Sequence, residues 1–209
     1  MGEKFVNCHI HSESVSDVVR VVRDITKDRA YVSPPKNHWI TVYDRTSDYK
    51  YRYDDIYPFS QELSSRLSTV VCTFLVFSGL HFIYFIHDNG QLVDEYYDEP
   101  EAAEFGFDYA DSAILERFRG HPERLLRYCL PATDVDSISQ ILTSCRNGDI
   151  EYMGQDAAYE LALLLGIDEE RAISGYAYFE DDSLYNERDP LMEDARDFIL
   201  VQSPLTKMY

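Results

Sequence analysis

Residues 72–97 read CTFLVFSGLHFIYFIHDNGQLVDEYY, and this stretch decides the fold class. It contains three apolar runs that are separated by two turn sequences, Ser78-Gly79 and Asp88-Asn89-Gly90. An Asn-Gly pair supplies the positive φ angles that a tight hairpin turn requires. The middle run is apolar on both alternating faces, which is typical of a strand that is covered on both sides. The stretch therefore predicts an antiparallel β-meander.

The residues before the meander predict two more structural units, each combining strands with a helix. FVNCHI at 5–10 has the composition of a short strand, and AYVSPP and HWITVYDR have that of two extended segments. Behind the predicted N-cap Ser14, apolar residues recur at helical spacing: Val15, Val18, Val19, Val22 and Ile25. A second helix is predicted by Phe59, Leu63 and Leu67. This order favours an α+β fold with an antiparallel or mixed sheet, related to the ferredoxin-like plan and with both helices on one face.

The pattern changes beyond Pro100. ILERF, PERLLRYCL, SISQILTSC and AAYELALLLG are helix-like, Pro122 suits a first helical turn, and Gly166 suits a helix C-terminal cap. No Gly-, Ser- or Pro-rich linker separates the two halves. We therefore expect an α+β sheet region over 1–99 and a mostly helical region over 100–209, packed on the sheet as one compact unit.

Length and charge limit the function classes. A chain of 209 residues can bury a core without metal or disulfide cross-links. Acidic residues outnumber basic ones 38 to 19, and a net charge of −19 repels nucleic acid phosphates and anionic lipid headgroups. We expect neither nucleic acid nor membrane partners. The four cysteines lack metal or redox spacing, and the N-terminus lacks a signal-peptide pattern, so we expect a reducing cytoplasm.

Motifs for covalent catalysis and for nucleotide binding are missing from the sequence. There is no Gly-x-Ser-x-Gly motif and no glycine-rich phosphate loop. We therefore expect no cofactor, and the sequence favours a non-catalytic protein over an enzyme.

One alternative remains enzymatic, because His9 and His11 alternate along the first predicted strand. Both imidazoles would then point to one sheet face, about 7 Å apart by strand rise. A catalytic zinc ion needs a third protein ligand. The candidates for that ligand are His38, Asp44, His81, His87 and Asp88. The alternative function is therefore a small metal-dependent hydrolase that uses His9 and His11.

The leading hypothesis rests on an acidic run. From Asp88 to Glu116 the chain has ten acidic residues and no Lys or Arg, and aromatic residues are interspersed among them. Such a segment favours docking of a basic protein by a regulatory, inhibitor- or immunity-like protein. The residues predicted to bind this partner are Asp94, Glu95, Tyr97, Asp98 and Glu99. Alternatively, the acids pair within the chain with the following arginines, Arg117, Arg119, Arg124 and Arg127.

Overall fold

The strands form the centre of the fold. A computed structural model describes residues 4–99, 112–147, 152–180 and 195–204. The strands are β1 (Phe5–His11), β2 (Arg29–Val32), β3 (Trp39–Asp44), β4 (Val70–Phe77), β5 (His81–Asp88), β6 (Gln91–Tyr97) and β7 (Ile199–Gln202). In the described part of the chain they make one seven-stranded sheet of order β6-β5-β4-β1-β3-β2-β7. All neighbouring strands are antiparallel.

The helices lie between and after the strands. They are α1 (Val15–Ile25), α2 (Arg45–Lys50), α3 (Tyr53–Leu67), α4 (Ser112–Arg117), α5 (Pro122–Leu125), α6 (Val135–Arg146), α7 (Gly154–Leu165), α8 (Glu169–Ala172) and α9 (Ala177–Glu180). As the sequence predicts, the Ser14 side chain caps α1 by accepting from the Asp17 amide. Gly166 ends α7 in the left-handed conformation, with φ of 73°.

The predicted meander is confirmed. Strands β4, β5 and β6 pair in sequence order, and the second turn contains Asn89 and Gly90 with φ of 50° and 79°. A Cβ atom on Gly90 would lie 2.8 Å from the Cβ of Ser65, so this turn also packs tightly against α3. The register shifts between Ile86 and His87, which is an irregularity that the alternation of side chains does not predict.

Helices cover the sheet on both faces. On one face, a buried cluster contains Ile10 and Val42 of the sheet, Val22 of α1 and Leu63 of α3. On the other face, a second cluster combines sheet residues with residues of α6 and α7: Phe74, Tyr84, Ile86, Leu142 and Leu161. The prediction is confirmed that the two N-terminal helices share one face and that the helical second half packs on the sheet. The fold is α+β.

A buried amide connects β1 to the chain after α8. The Nδ2 atom of Asn7 donates to the carbonyl oxygens of Ala172 at 2.8 Å and Ser174 at 2.9 Å, and Asn7 itself is fully buried. A buried amide requires such partners, because an unpaired polar group in the core is costly. Asn7 thus fixes the position of the segment that follows α8.

Two elements differ from the sequence predictions. Helix α2 is not predicted, and β7 places a strand from the mostly helical region at the edge of the sheet beside β2. The ferredoxin-like plan stays a prediction, since the sheet extends on both sides of the four strands β4-β1-β3-β2. No helix within the described ranges is long and apolar enough to cross a bilayer.

Candidate functional site

Four of the five residues predicted to bind a partner are buried. Asp94 and Glu95 are 2% exposed, Tyr97 is 0% exposed and Asp98 is 8% exposed, whereas Glu99 lies at the surface. The prediction of an exposed docking segment is therefore wrong for these four side chains. The physical reason is that the second half of β6 is covered on both faces, so that neither side of its alternating pattern faces solvent from Asp94 to Tyr97.

Asp94 is at the centre of a buried hydrogen-bond network. Its carboxylate accepts from the Tyr84 hydroxyl at 2.7 Å, from the His121 amide at 2.9 Å and from His121 Nδ1 at 2.8 Å. Gly120 has φ of 72°, and a Cβ atom there would lie 3.0 Å from the Tyr84 hydroxyl. This close approach lets the chain turn back so that His121 reaches Asp94.

Glu95 is on the other face of β6 and has its own partners. Its carboxylate accepts from Arg117 Nε at 2.6 Å and from the Tyr53 hydroxyl. Burial raises the pKa of Glu95, and the hydrogen bonds from Arg117 and Tyr53 oppose that shift. The guanidinium of Arg117 also lies over the Phe118 ring, 5.0 Å from its centroid.

Other acidic residues of the run also have partners within the chain. Asp98 accepts from the Phe82 amide at 3.0 Å, Arg124 lies 3.8 Å from Asp94, and Arg127 lies 3.4 Å from Asp88. Arg119 pairs with Glu116, the last acid of the run, at 3.4 Å. The alternative hypothesis of pairing within the chain is thus confirmed for Arg117, Arg119, Arg124 and Arg127. The rest of the predicted acidic and aromatic segment lies outside the described residues: Glu101, Glu104, Phe105, Phe107, Asp108, Tyr109 and Asp111.

The two histidines of the hydrolase hypothesis have different environments. His9 is fully buried, with Nδ1 3.0 Å from the Thr41 hydroxyl oxygen, and burial lowers its pKa to about 3. His11 is exposed at the end of β1. Across the described residues, no group of three or more His, Cys, Asp or Glu side chains is arranged to hold a metal ion. The geometry therefore gives no support to a shared metal site.

An acidic pocket opens on the other side of the sheet from α6 and α7. It has a volume of about 200 Å³ and lies between the end of α1, the start of α2 and the first half of α3. Apolar side chains of Ile25, Pro58 and Phe59 form part of its wall. Its charged lining residues are Lys27, Asp44, Asp54, Asp55 and Glu62. We call this site the α1–α3 pocket.

The carboxylates of the α1–α3 pocket differ in exposure. Asp44 is buried, accepts from the Thr26 hydroxyl at 2.6 Å and from the Ser47 amide at 2.8 Å, and has a pKa that burial raises. Lys27 binds Asp55 at 2.7 Å and lowers the pKa of that carboxyl. Asp54 and Glu62 are exposed at the mouth, and Glu62 also pairs with Arg66 at 2.6 Å. The lining of the pocket therefore contains four carboxyl groups and one ammonium group.

Sequence reasoning missed this pocket, although a signal was present. Asp54, Pro58 and Glu62 are spaced by four residues, so that they lie on one face of α3 beside the apolar stripe that contains Phe59. The contributions of α1 and α2 become visible only when the three helices are packed together. Spacing within α3 could have indicated an acidic face, but not a pocket.

Comparison with known proteins identifies no relative. No family model matches the chain, and neither a curated protein nor a solved structure matches it. Function must therefore be inferred from the chain's own residues.

Proposed function

We propose that this chain is a non-catalytic interaction protein that binds a basic protein partner through the α1–α3 pocket. The observation that supports this is the composition of the pocket, in which Asp54 and Glu62 rim an apolar wall formed by Pro58 and Phe59. A Lys or Arg side chain has the complementary form, because its aliphatic stem packs on apolar groups while its charge meets carboxylates.

The charge of the whole chain supports the same partner class. A formal charge of −19 attracts a basic protein over long range and raises its association rate. Net charge alone does not distinguish one basic protein from another. The pocket distinguishes them at short range, because only a partner with a suitably placed Lys or Arg side chain can enter it. An inhibitor or immunity-like protein acts in this way when it occupies a basic surface of its target. The proposal places the chain in the cytoplasm, where its cysteines stay free thiols.

The test compares two variants with the same change in net charge. Asp54→Asn with Glu62→Gln alters the mouth of the pocket, and Asp136→Asn with Glu160→Gln alters exposed positions on α6 and α7. Partners are captured from a native extract at low and at high ionic strength, identified, and then purified for rate measurements. We expect the pocket variant to slow association several-fold more than the matched control does.

Two results would contradict this function. One is equal association rates for the pocket variant and the control, which would assign any effect to net charge alone. The other is binding that does not weaken with salt, because exposed complementary charges are screened over about 8 Å at physiological ionic strength. Melting temperatures of both variants are measured as well, so that unfolding is not mistaken for lost binding.

A further inference from the structure

A second opening in the described structure lies away from the α1–α3 pocket. It is a cleft of about 680 Å³ at the edge where β1 ends and β3 and β4 begin, closed by the chain after α5 and by the end of α7. Cavities of about 300–1,000 Å³ are the usual size of small-molecule sites. The residues that matter for its chemistry are His11, His38, Trp39, Arg127, Tyr128 and Leu130.

The turn between β2 and β3 shapes one wall of the cleft. Lys36 and Trp39 exchange two backbone hydrogen bonds of 2.9 Å, and the two residues between them, Asn37 and His38, have φ of 53° and 69°. Positive φ at both central residues is the geometry of a tight hairpin, and it is uncommon for residues other than glycine. This turn brings the His38 ring within 6.2 Å of the His11 ring, measured between centroids.

Trp39 connects the start of β3 to the end of α7, and both of these elements line the cleft. The indole N–H of Trp39 donates to the Leu165 carbonyl at 3.1 Å, and the His11 ring lies edge-on to the indole at 5.1 Å. Trp39 is 4% exposed, so its position is determined by packing on both sides. The sheet edge and the end of α7 are therefore held together, and the cleft between them is preformed.

The opposite wall has a cationic group. Arg127 stacks on the Tyr128 ring at 4.5 Å, and both side chains contact Asp88, at 3.4 Å for Arg127 Nη2 and 2.9 Å for the Tyr128 hydroxyl. These contacts hold the guanidinium in place, while its side chain remains 60% exposed. Beside it, Leu130 is 49% exposed and provides apolar surface.

The lining of this cleft has a cationic group but no carboxylate of its own. Within the described ranges no Asp or Glu lines it, and its only charged lining residue there is Arg127, accompanied by two imidazoles and a phenol. Two carboxylates contact these groups from outside the lining: Asp88 lies 3.4 Å from Arg127, and Glu13 lies 2.5 Å from His38 Nδ1. Cationic and hydrogen-bonding groups beside apolar side chains match an anion attached to an apolar body.

We propose that this cleft binds a small organic anion, in which an apolar ring is joined to a phosphate or carboxylate group. The anion accepts hydrogen bonds from Arg127 and from the imidazoles of His11 and His38, and the ring packs on Leu130. This site shares no lining residue with the α1–α3 pocket. The proposal can therefore be tested independently of the one on the basic protein partner.

The experiment uses the chain's single tryptophan as the reporter. Trp39 is the only Trp in the sequence and lines the cleft, so its fluorescence responds to an occupant. Three probes are titrated: phenyl phosphate, inorganic phosphate and benzylamine. We expect a saturable change with phenyl phosphate, weaker binding of inorganic phosphate because it lacks the ring, and no saturable change with benzylamine.

Matched arginine variants make the test specific. Arg127→Gln removes the charge in the cleft, and Arg124→Gln makes the same change on α5 outside it. Loss of a charge-assisted hydrogen bond predicts about tenfold weaker phenyl phosphate binding for Arg127→Gln and less than twofold change for Arg124→Gln. Leu130→Ala weakens phenyl phosphate several-fold and leaves inorganic phosphate unchanged.

Three outcomes would overturn the proposal. They are the absence of a saturable change in Trp39 fluorescence with phenyl phosphate, equal or tighter binding of benzylamine, and equal losses in the two arginine variants. Both arginines are exposed, and a melting temperature for each variant establishes that it is folded.

Discussion

Asp94 Oδ1 lies 2.8 Å from His121 Nδ1, inside the segment whose acidity suggests a docking surface. Because Asp94 also accepts from the Tyr84 hydroxyl and the His121 amide, both carboxylate oxygens are engaged. Asp94→Asn directs an amide N–H at one of these donors. We expect a loss of about 1–3 kcal/mol in the free energy of unfolding, measured by denaturant titration.

The matched control is Glu99→Gln, five positions along the same segment. Glu99 is exposed, with a side chain that keeps 57% of its surface in solvent. We expect its substitution to change the free energy of unfolding by less than about 0.5 kcal/mol. Equal effects of the two substitutions would show that Asp94 is not held as the structure has it.

His9 predicts a loss of stability in acid. Burial, with a smaller contribution from the charge of Arg171, lowers its pKa from 6.5 to about 3. The unfolded chain therefore binds a proton that the folded chain excludes between these values. The neutral His9 therefore imposes no cost on the folded chain above about pH 6.5. Below that value the free energy of unfolding falls by about 1.4 kcal/mol per pH unit until the pH reaches about 3.

His9→Gln tests that prediction, because glutamine does not titrate. The free energy of unfolding is measured against pH between about pH 6 and 4. The slope for the variant should be smaller than that of the natural chain by about 1.4 kcal/mol per pH unit, which corresponds to one proton. His38→Gln serves as the control, since the His38 side chain is 72% exposed. An unchanged slope in His9→Gln would contradict the buried, neutral imidazole.

Asp48 predicts the opposite trend in a similar pH range. Its carboxylate accepts from the Val6 amide at 2.8 Å and the Ala177 amide at 3.2 Å, and burial raises its pKa from 3.8 to about 6. The folded chain then binds the proton more tightly than the unfolded chain. The contribution of Asp48 therefore falls by on the order of 2–3 kcal/mol as the pH rises from about 4 to above 6.

The variant that isolates this effect is Asp48→Asn. It carries a constant cost, because one amide donor loses its acceptor, but it removes the titration. The natural chain should exceed the variant in stability by more at about pH 4 than at pH 7. A difference that is constant with pH, or larger at pH 7, refutes the raised pKa.

Two glycines should differ in their tolerance of alanine. At Gly154, a Cβ atom would lie 2.6 Å from the backbone of Leu80 and His81, which cannot move aside. At Gly166, the nearest atom is a Leu130 methyl at 3.0 Å, and the strain comes from φ of 73°. We expect losses of about 3 kcal/mol for Gly154→Ala and about 1 kcal/mol for Gly166→Ala in denaturant titrations. The reverse order would contradict the packing of α7 against the turn between β4 and β5.

The elements that the sequence predicts are those with local signals. Asn89-Gly90 and Ser14 mark a turn and a cap within a few residues, so the meander and α1 could be predicted. Strand β7 contains only four residues, Ile199–Gln202, and its pairing with β2 comes from distant sequence. Local periodicity cannot predict such a strand.

The candidate site was harder to predict because charge does not determine exposure. Asp94 and Glu95 have the same carboxylates as Asp54 and Glu62, yet the first pair is buried against His121 and Arg117 and the second pair is exposed. The arginine cluster after Glu116 was the available signal for internal pairing. The cleft depends on residues from five separate parts of the chain, and no spacing predicts that.

The Asn7 amide has a consequence for how the protein is made. Its acceptor Ser174 lies 167 residues later, and β1 is the middle strand of the sheet. At about 5–20 residues per second, a ribosome needs roughly 8–30 s to synthesise that interval. During this time Asn7 lacks the carbonyl partners that it has in the folded chain, and the helical cover of its apolar neighbours Phe5 and Phe74 is incomplete. Emerging chains of this protein are therefore expected to be clients of ribosome-associated chaperones until the segment that follows α8 has been synthesised.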